Sequence, residues 1–222
     1  MQTDLKKILT GLREDTVLKK EYILDNVLPK LSSVTRMEKL SEKNVYLEHF
    51  MDMALSFYVP FDMNAIPDSL VSFSLTMDIL RKTGITPSEL KSRALDNLEK
   101  EYDICPLCDL LEGMGFGSFE AEPVTMLVVT TKNRMHGASL MISRRVLSLL
   151  HERLGDFFIL PSSIHEFISL PYDDTTDINI LANMVSTINE TEVAPAERLS
   201  NNVYMWDGQL IKNLSSNPPE FL

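Results

Sequence analysis

What the chain has little of narrows its class first. Its 222 residues contain no apolar run near the ~20 residues a membrane-spanning helix needs. The stretch MQTDLKKILTGLRED has no apolar core ahead of a small-residue cleavage site, so a cytoplasmic protein with no membrane association is expected. Cysteine occurs twice, at Cys105 and Cys108, which is no secreted disulfide framework. GxGxxG and the GxxxxGK phosphate loop are absent, and so is the GxSxG nucleophile elbow. No second CxxC or paired histidines complete a zinc set, so neither a metal nor a cofactor is expected. Positive charge is also scarce: 21 Lys and Arg face 32 Asp and Glu, for a net charge of −11. Nucleic acid is a poor partner for such a chain, because phosphate backbones are bound by Lys and Arg. The acids form no long runs, which disfavours a nucleic-acid mimic.

What remains is ordinary for a globular protein, at 44% hydrophobic and 24% charged residues. Twelve methionines suit adaptable core packing. Charge is uneven: residues 1–104 hold 14 basic and 17 acidic side chains, and residues 105–222 hold 7 and 15.

Residues 1–104 read as helical. Leu5, Ile8, Leu9 and Leu12 recur at helical spacing, as do Tyr22, Ile23, Val27, Leu28 and Leu31, with Pro29 stopping or kinking the second run. Between Asn44 and Val59, Tyr46, Phe50, Met53 and Phe57 fall on one face of a buried helix. A loop over PFDMNAIPDS leads to a helix over Leu70–Lys82 that Gly84 stops. Thr86-Pro87-Ser88-Glu89 is a capping box that starts a further helix, with Leu90, Ala94, Leu95 and Leu98 inward.

From Cys105 the pattern changes. A short helix (Pro106–Met114) and a Gly-rich loop precede a β-branched strand over Val124–Thr131. A helix over Ala138–Leu154, ended by Gly155, leads to a hairpin whose apolar runs, Phe157–Leu160 and Phe167–Leu170, flank a Pro-Ser-Ser turn. A helix over Asp174–Asn189 follows, then a last hairpin around Asp207-Gly208, a type I′ signature. The fold class expected is α+β: a helical part (1–104) packed on a small mixed sheet (105–222, strand–helix–strand–strand–helix–hairpin), together one compact unit.

Several segments, KLSEKNVYLEHFMDMALSFYV, ITPSELKSRALDN, TKNRMHGASLM, FILPSSIHEFISLP and INETEVAPAERLSNNVYMWD, resemble a family of uncharacterised bacterial proteins. That family carries a domain-of-unknown-function label and is common in gut Firmicutes and on their mobile elements. The resemblance runs from about Val27 to Ile211 and implies no activity or catalytic residues. Family members often carry an additional N-terminal segment that this chain is expected to lack, and Cys105 and Cys108 are not part of the family pattern.

Three groups of residues are candidates for chemistry. Cys105-Pro106-Leu107-Cys108 looks like the CPxC of glutaredoxin-type oxidoreductases, where a helix N-terminus activates the thiol. Against it, LEKEYDI upstream reads as a helix end rather than the required strand, and the proline that should precede the third strand follows it as Pro161. Pro123–Leu150 contains no acid, and within it Lys132, Arg134, His136, Gly137 and Ser139 lie at a strand–turn–helix junction that could bind an anion or nucleotide. Ser162, Ser163, His165 and Glu166 share the hairpin turn, too close along one hairpin to form a catalytic relay, so partner binding suits them better. The balance favours an accessory or regulatory protein-interaction module over an enzyme, with a protein partner. A thiol oxidoreductase and a small-anion sensor are the alternatives.

Overall fold

The computed structural model describes residues 18–61, 71–113, 126–161 and 163–215. The expected helix on Leu5–Leu12, the loop at 62–69, the Gly-rich stretch at 114–117, Ser162 and the tail beyond 215 lie outside them.

The fold is α+β, with two antiparallel sheets. The first is built around β3 (Met53–Phe61), with β1 (Leu28–Ser33) on one side and β2 (Leu47–Phe50) and β4 (Val71–Ser74) sharing the other. Helix α1 (Lys20–Asn26) precedes it, and a 3-10 turn (Val34–Arg36) with α2 (Met37–Glu42) joins β1 to β2. Helices α3 (Met77–Thr83) and α4 (Pro87–Leu98) follow β4. The second sheet has the order β10-β9-β7-β8-β6-β5. Its strands are β5 (Tyr102–Pro106), β6 (Leu127–Thr131), β7 (Phe157–Leu160), β8 (Phe167–Pro171), β9 (Tyr204–Trp206) and β10 (Ile211–Asn213). Helix α5 (Leu107–Gly113) follows β5, a 3-10 segment (Gly137–Ile142) and α6 (Arg144–Leu154) link β6 to β7, and α7 (Ile178–Thr191) links β8 to β9.

The helical expectation for residues 1–104 is corrected. The run from Asn44 to Val59 is a β2–β3 hairpin that pairs Phe50 with Met53 around Met51-Asp52. Every residue from Met53 to Val59 is buried, and a strand covered on both faces loses its apolar–polar alternation and reads like a buried helix. After α1 the next run is strand β1, with Pro29 on a sheet edge, where proline costs no ladder hydrogen bond. The expected helix over Leu70–Lys82 is β4 followed by α3, ended by Gly84 at φ +65°. The Thr86 cap is present, its hydroxyl accepting from the Glu89 amide at 3.2 Å, although the Glu89 carboxylate pairs with Lys20 instead of closing the box.

The mixed sheet is corrected too: every strand pair is antiparallel. Strands β6 and β7, joined by α6, do run in the same direction. They are not neighbours, because β8 folds back between them and is antiparallel to both. The expected Ala138–Leu154 helix is a 3-10 segment and α6, separated at Ser143, whose hydroxyl caps α6 by accepting from the Val146 amide. The last hairpin pairs Trp206 with Ile211, so its loop has four residues rather than two.

The main core draws on both sheets, uniting Leu31, Leu55 and Phe57 of the first with Val129, Phe157 and Phe167 of the second. The other face of β7 (Phe158, Leu160) packs against Leu181 and Val185 of α7 in a smaller cluster. The 3-10 segment sits at the joint: the Ser139 hydroxyl accepts from the Leu31 amide of β1 at 3.0 Å, and Gly137 lies against Thr130 of β6.

Candidate functional site

The β2–β3 turn reaches the segment between α7 and β9 and makes a polar junction there. Met51 takes a left-handed conformation (φ +56°), which delivers the Asp52 carboxylate to residues 148–152 positions later. Ser200 Oγ and Asn202 Nδ2 each donate to Asp52 Oδ2 at 2.9 Å, and the Tyr204 hydroxyl donates to Oδ1. The Asn202 amide closes the network by donating to Ser200 Oγ. Burial, then the adjacent Asp52 charge, pushes the Tyr204 phenol far above its ordinary range. Ser200 and Tyr204 are buried, and the Ser200 hydroxyl is spent on Asp52 and Tyr204 rather than presented as a nucleophile. The group's chemistry is that of a latch between the two sheets.

Beside the latch is a cleft of about 390 Å³. Arg36 and Arg198 line it together with Ser33, Thr35, Asp52 and Asn202. Each arginine spends part of its fork on the loop after α7. Arg36 Nη1 donates to the Ala196 carbonyl at 2.6 Å, and Arg198 donates through Nε to Val193 and through Nη2 to the Glu190 carbonyl.

The residues singled out by sequence lie elsewhere. Of the basic turn, Lys132 and Arg134 are exposed, while His136, Gly137 and Ser139 are buried in the joint between sheets. A side chain at Gly137 would meet the His165 carbonyl and the Thr130 backbone, so the segment is packed hard against β6 and the hairpin turn at this position. The His136 ring stacks on His165 at 5.7 Å and meets the edge of Tyr58. Burial, then the nearby Lys30 and His165, lowers its pKa to about 3, so it is neutral at pH 7. In the hairpin turn, Ser163 donates to Glu166 at 2.5 Å and accepts from the His165 amide at 2.9 Å, while His165 Nε2 lies 3.6 Å from Glu197. These contacts spend the turn's polar groups on its own geometry.

A helix does end in LEKEYDI, at Leu98, but the expected absence of a strand is corrected: β5 starts at Tyr102 and runs through Cys105. It is an edge strand paired antiparallel with β6. Cys105 sits in it rather than at a helix N-terminus, and burial with the neighbouring Asp103 raises its thiol pKa, the opposite of activation. Among the described residues no group of three or more His, Cys, Asp or Glu could hold a metal ion, and no helix is long and apolar enough to cross a membrane.

Sequence reasoning did not single out Arg36, Asp52, Arg198 or Tyr204: Arg198 and Tyr204 lie in one segment, but Arg36 and Asp52 are more than 140 residues from it. It also missed the outer face of α7. Ile180, Met184 and Ile188 recur every four residues there and are 59%, 47% and 40% exposed, on the side away from Leu181 and Val185. With Asn183 and Thr187 they line a shallow groove of about 390 Å³. Apolar residues on both sides of one helical pattern were the available signal.

Two antiparallel sheets latched through Asp52, with a polar cleft and an apolar helix face, define an α+β protein. The chain belongs to the family of unknown function DUF5688, whose model matches residues 7–208. No curated protein and no solved structure matches it.

Proposed function

We propose that the protein is a non-enzymatic accessory or regulatory module of the bacterial cytoplasm that docks a protein partner on the outer face of α7. The observation that carries this reading is the Ile180–Met184–Ile188 stripe, since a helix that already buries one apolar side has no folding reason to expose another. The surroundings fit one kind of partner. No charged residue lies between Ile178 and Asn189, whereas exposed Asp173, Asp174 and Asp177 precede the stripe and exposed Glu190 and Glu192 follow it. An apolar centre with acidic ends suits an amphipathic helix whose apolar ridge is flanked by Lys or Arg. A second copy of α7 would bring acidic end against acidic end.

A designed Leu/Lys amphipathic peptide, titrated into isotope-labelled protein, tests this. The expected result is a saturable shift of the 180–188 amides and binding about tenfold weaker in Met184→Asp. That substitution adds a negative charge, so attraction by charge alone would tighten binding instead. Equal or tighter binding by the variant, or shifts confined to other surfaces, would overturn the reading.

A further inference from the structure

We infer that the cleft between the β1–α2 connection and the loop after α7 binds a small oxyanion, a phosphate or carboxylate group, between Arg36 and Arg198. This goes beyond the docking role of α7 and stands on separate residues.

Three observations converge. First, the cleft is rich in donors and poor in acceptors. Asp52 is the one carboxylate in its lining, and the protein saturates it with the hydroxyls of Ser200 and Tyr204 and the amide of Asn202. Second, both guanidinium groups keep donors in hand. Among the described residues Arg36 uses only Nη1, on Ala196, and Arg198 leaves Nη1 unused after binding Val193 and Glu190. The hydroxyls of Ser33 and Thr35, 3.0 Å apart on the same wall, have one proton between them left to give. Third, neither arginine is spent on an ion pair. In a chain with 32 acids to 21 bases, neither arginine forms an ion pair among the described residues. The same holds for Lys30, half-buried in β1 and close enough to Arg36 for that charge to lower its pKa, behind burial as the larger cause.

Two arginines against the single Asp52 carboxylate leave the cleft a positive balance that an anion would hold in place. Arginine suits the task, because its planar fork can satisfy a loop carbonyl with one nitrogen and an oxyanion with another. The anion recognised would be small: the cleft holds a phosphate or carboxylate headgroup, and its arginine-bound loop leads back to α7.

Amide chemical shifts, followed during titration with inorganic phosphate and separately with acetate at low ionic strength, test the site. Saturable changes at Ser200, Asn201 and Asn202 are expected, with binding about tenfold or more weaker in Arg36→Gln. Lys132→Gln, in the exposed turn, should bind like the parent. If Arg36→Gln does not fold, Arg198→Gln on the opposite wall decides, since weaker binding supports the site and unchanged binding overturns it. No saturation by either anion, changes centred on residues 132–139, or an Arg36→Gln variant that binds like the parent would each sink the inference. Preference for one anion over the other identifies the headgroup.

Discussion

Two hairpin turns in this molecule are held in opposite ways. The β9–β10 loop secures itself: Asp207 Oδ1 accepts from the amides of Gln209 and Leu210, Gly208 supplies a φ of +84°, and Lys212 pairs with Asp207 at 2.7 Å. The β2–β3 turn has no such means. Met51 bears the left-handed conformation without being glycine or asparagine, and Asp52 faces away from its own turn to meet Ser200, Asn202 and Tyr204. One turn is specified by five residues within a six-residue span, the other by contacts that exist only once both sheets have met. Conformational preference that local chemistry does not supply has to come from tertiary structure.

The largest break in the comparison should come from Asp52→Ala. It leaves the buried Tyr204 hydroxyl and its two companions without their acceptor, at a cost of about 2–5 kcal/mol in urea unfolding. A loss below about 1 kcal/mol would mean the β2–β3 turn is locally stable after all.

Acid should separate the two regions next. His136, in the joint between sheets, is held neutral with a folded pKa of about 3 against an ordinary 6.5. The unfolded chain therefore takes up the proton first, and stability should fall as pH drops from 6.5 towards 3, by about 2 kcal/mol at pH 5. Asp207 responds in the same direction but only at lower pH, because its bond to Lys212, then those from the Leu210 and Gln209 amides, hold its pKa well below the carboxylate range. Its contribution persists until the pH falls beneath the ordinary aspartate value. Unfolding measured at pH 7, 6 and 5 should show this slope and lose it in His136→Asn; a flat profile in the parent would refute the assignment.

The smallest effect belongs to the locally secured loop. Gly208→Ala puts a Cβ at positive φ, 3.0 Å from a His151 side chain able to move aside, and should cost about 1 kcal/mol in thermal unfolding. A neutral result would remove the local half of the contrast.

The same division explains what the sequence shows. Thr86-Pro87, Gly84, Gly155, the β7–β8 runs and α7 are legible because caps, stops and strand pairs act within a few residues. The first sheet is hidden because β3 is apolar on both faces and its turn with β2 carries no Gly, Pro or Asn. The spacing of Tyr46, Phe50, Met53 and Phe57 then mimics a helix. The placement of β8 between β6 and β7 is a choice of topology that local periodicity does not encode. Of the candidate surfaces, the α7 stripe was present as a pattern, whereas the cleft depends on Arg36, Asp52 and Arg198 meeting across more than 140 residues.

The serine at the joint has one more consequence, and it concerns solubility. Strand β1 is an edge, and an unpaired edge amide is a template on which another chain can add a strand. By accepting from the Leu31 amide, Ser139 occupies that site with a side chain from the protein's own 3-10 segment. A side chain of the protein's own thus stands where a neighbouring strand would have to pair with the first sheet.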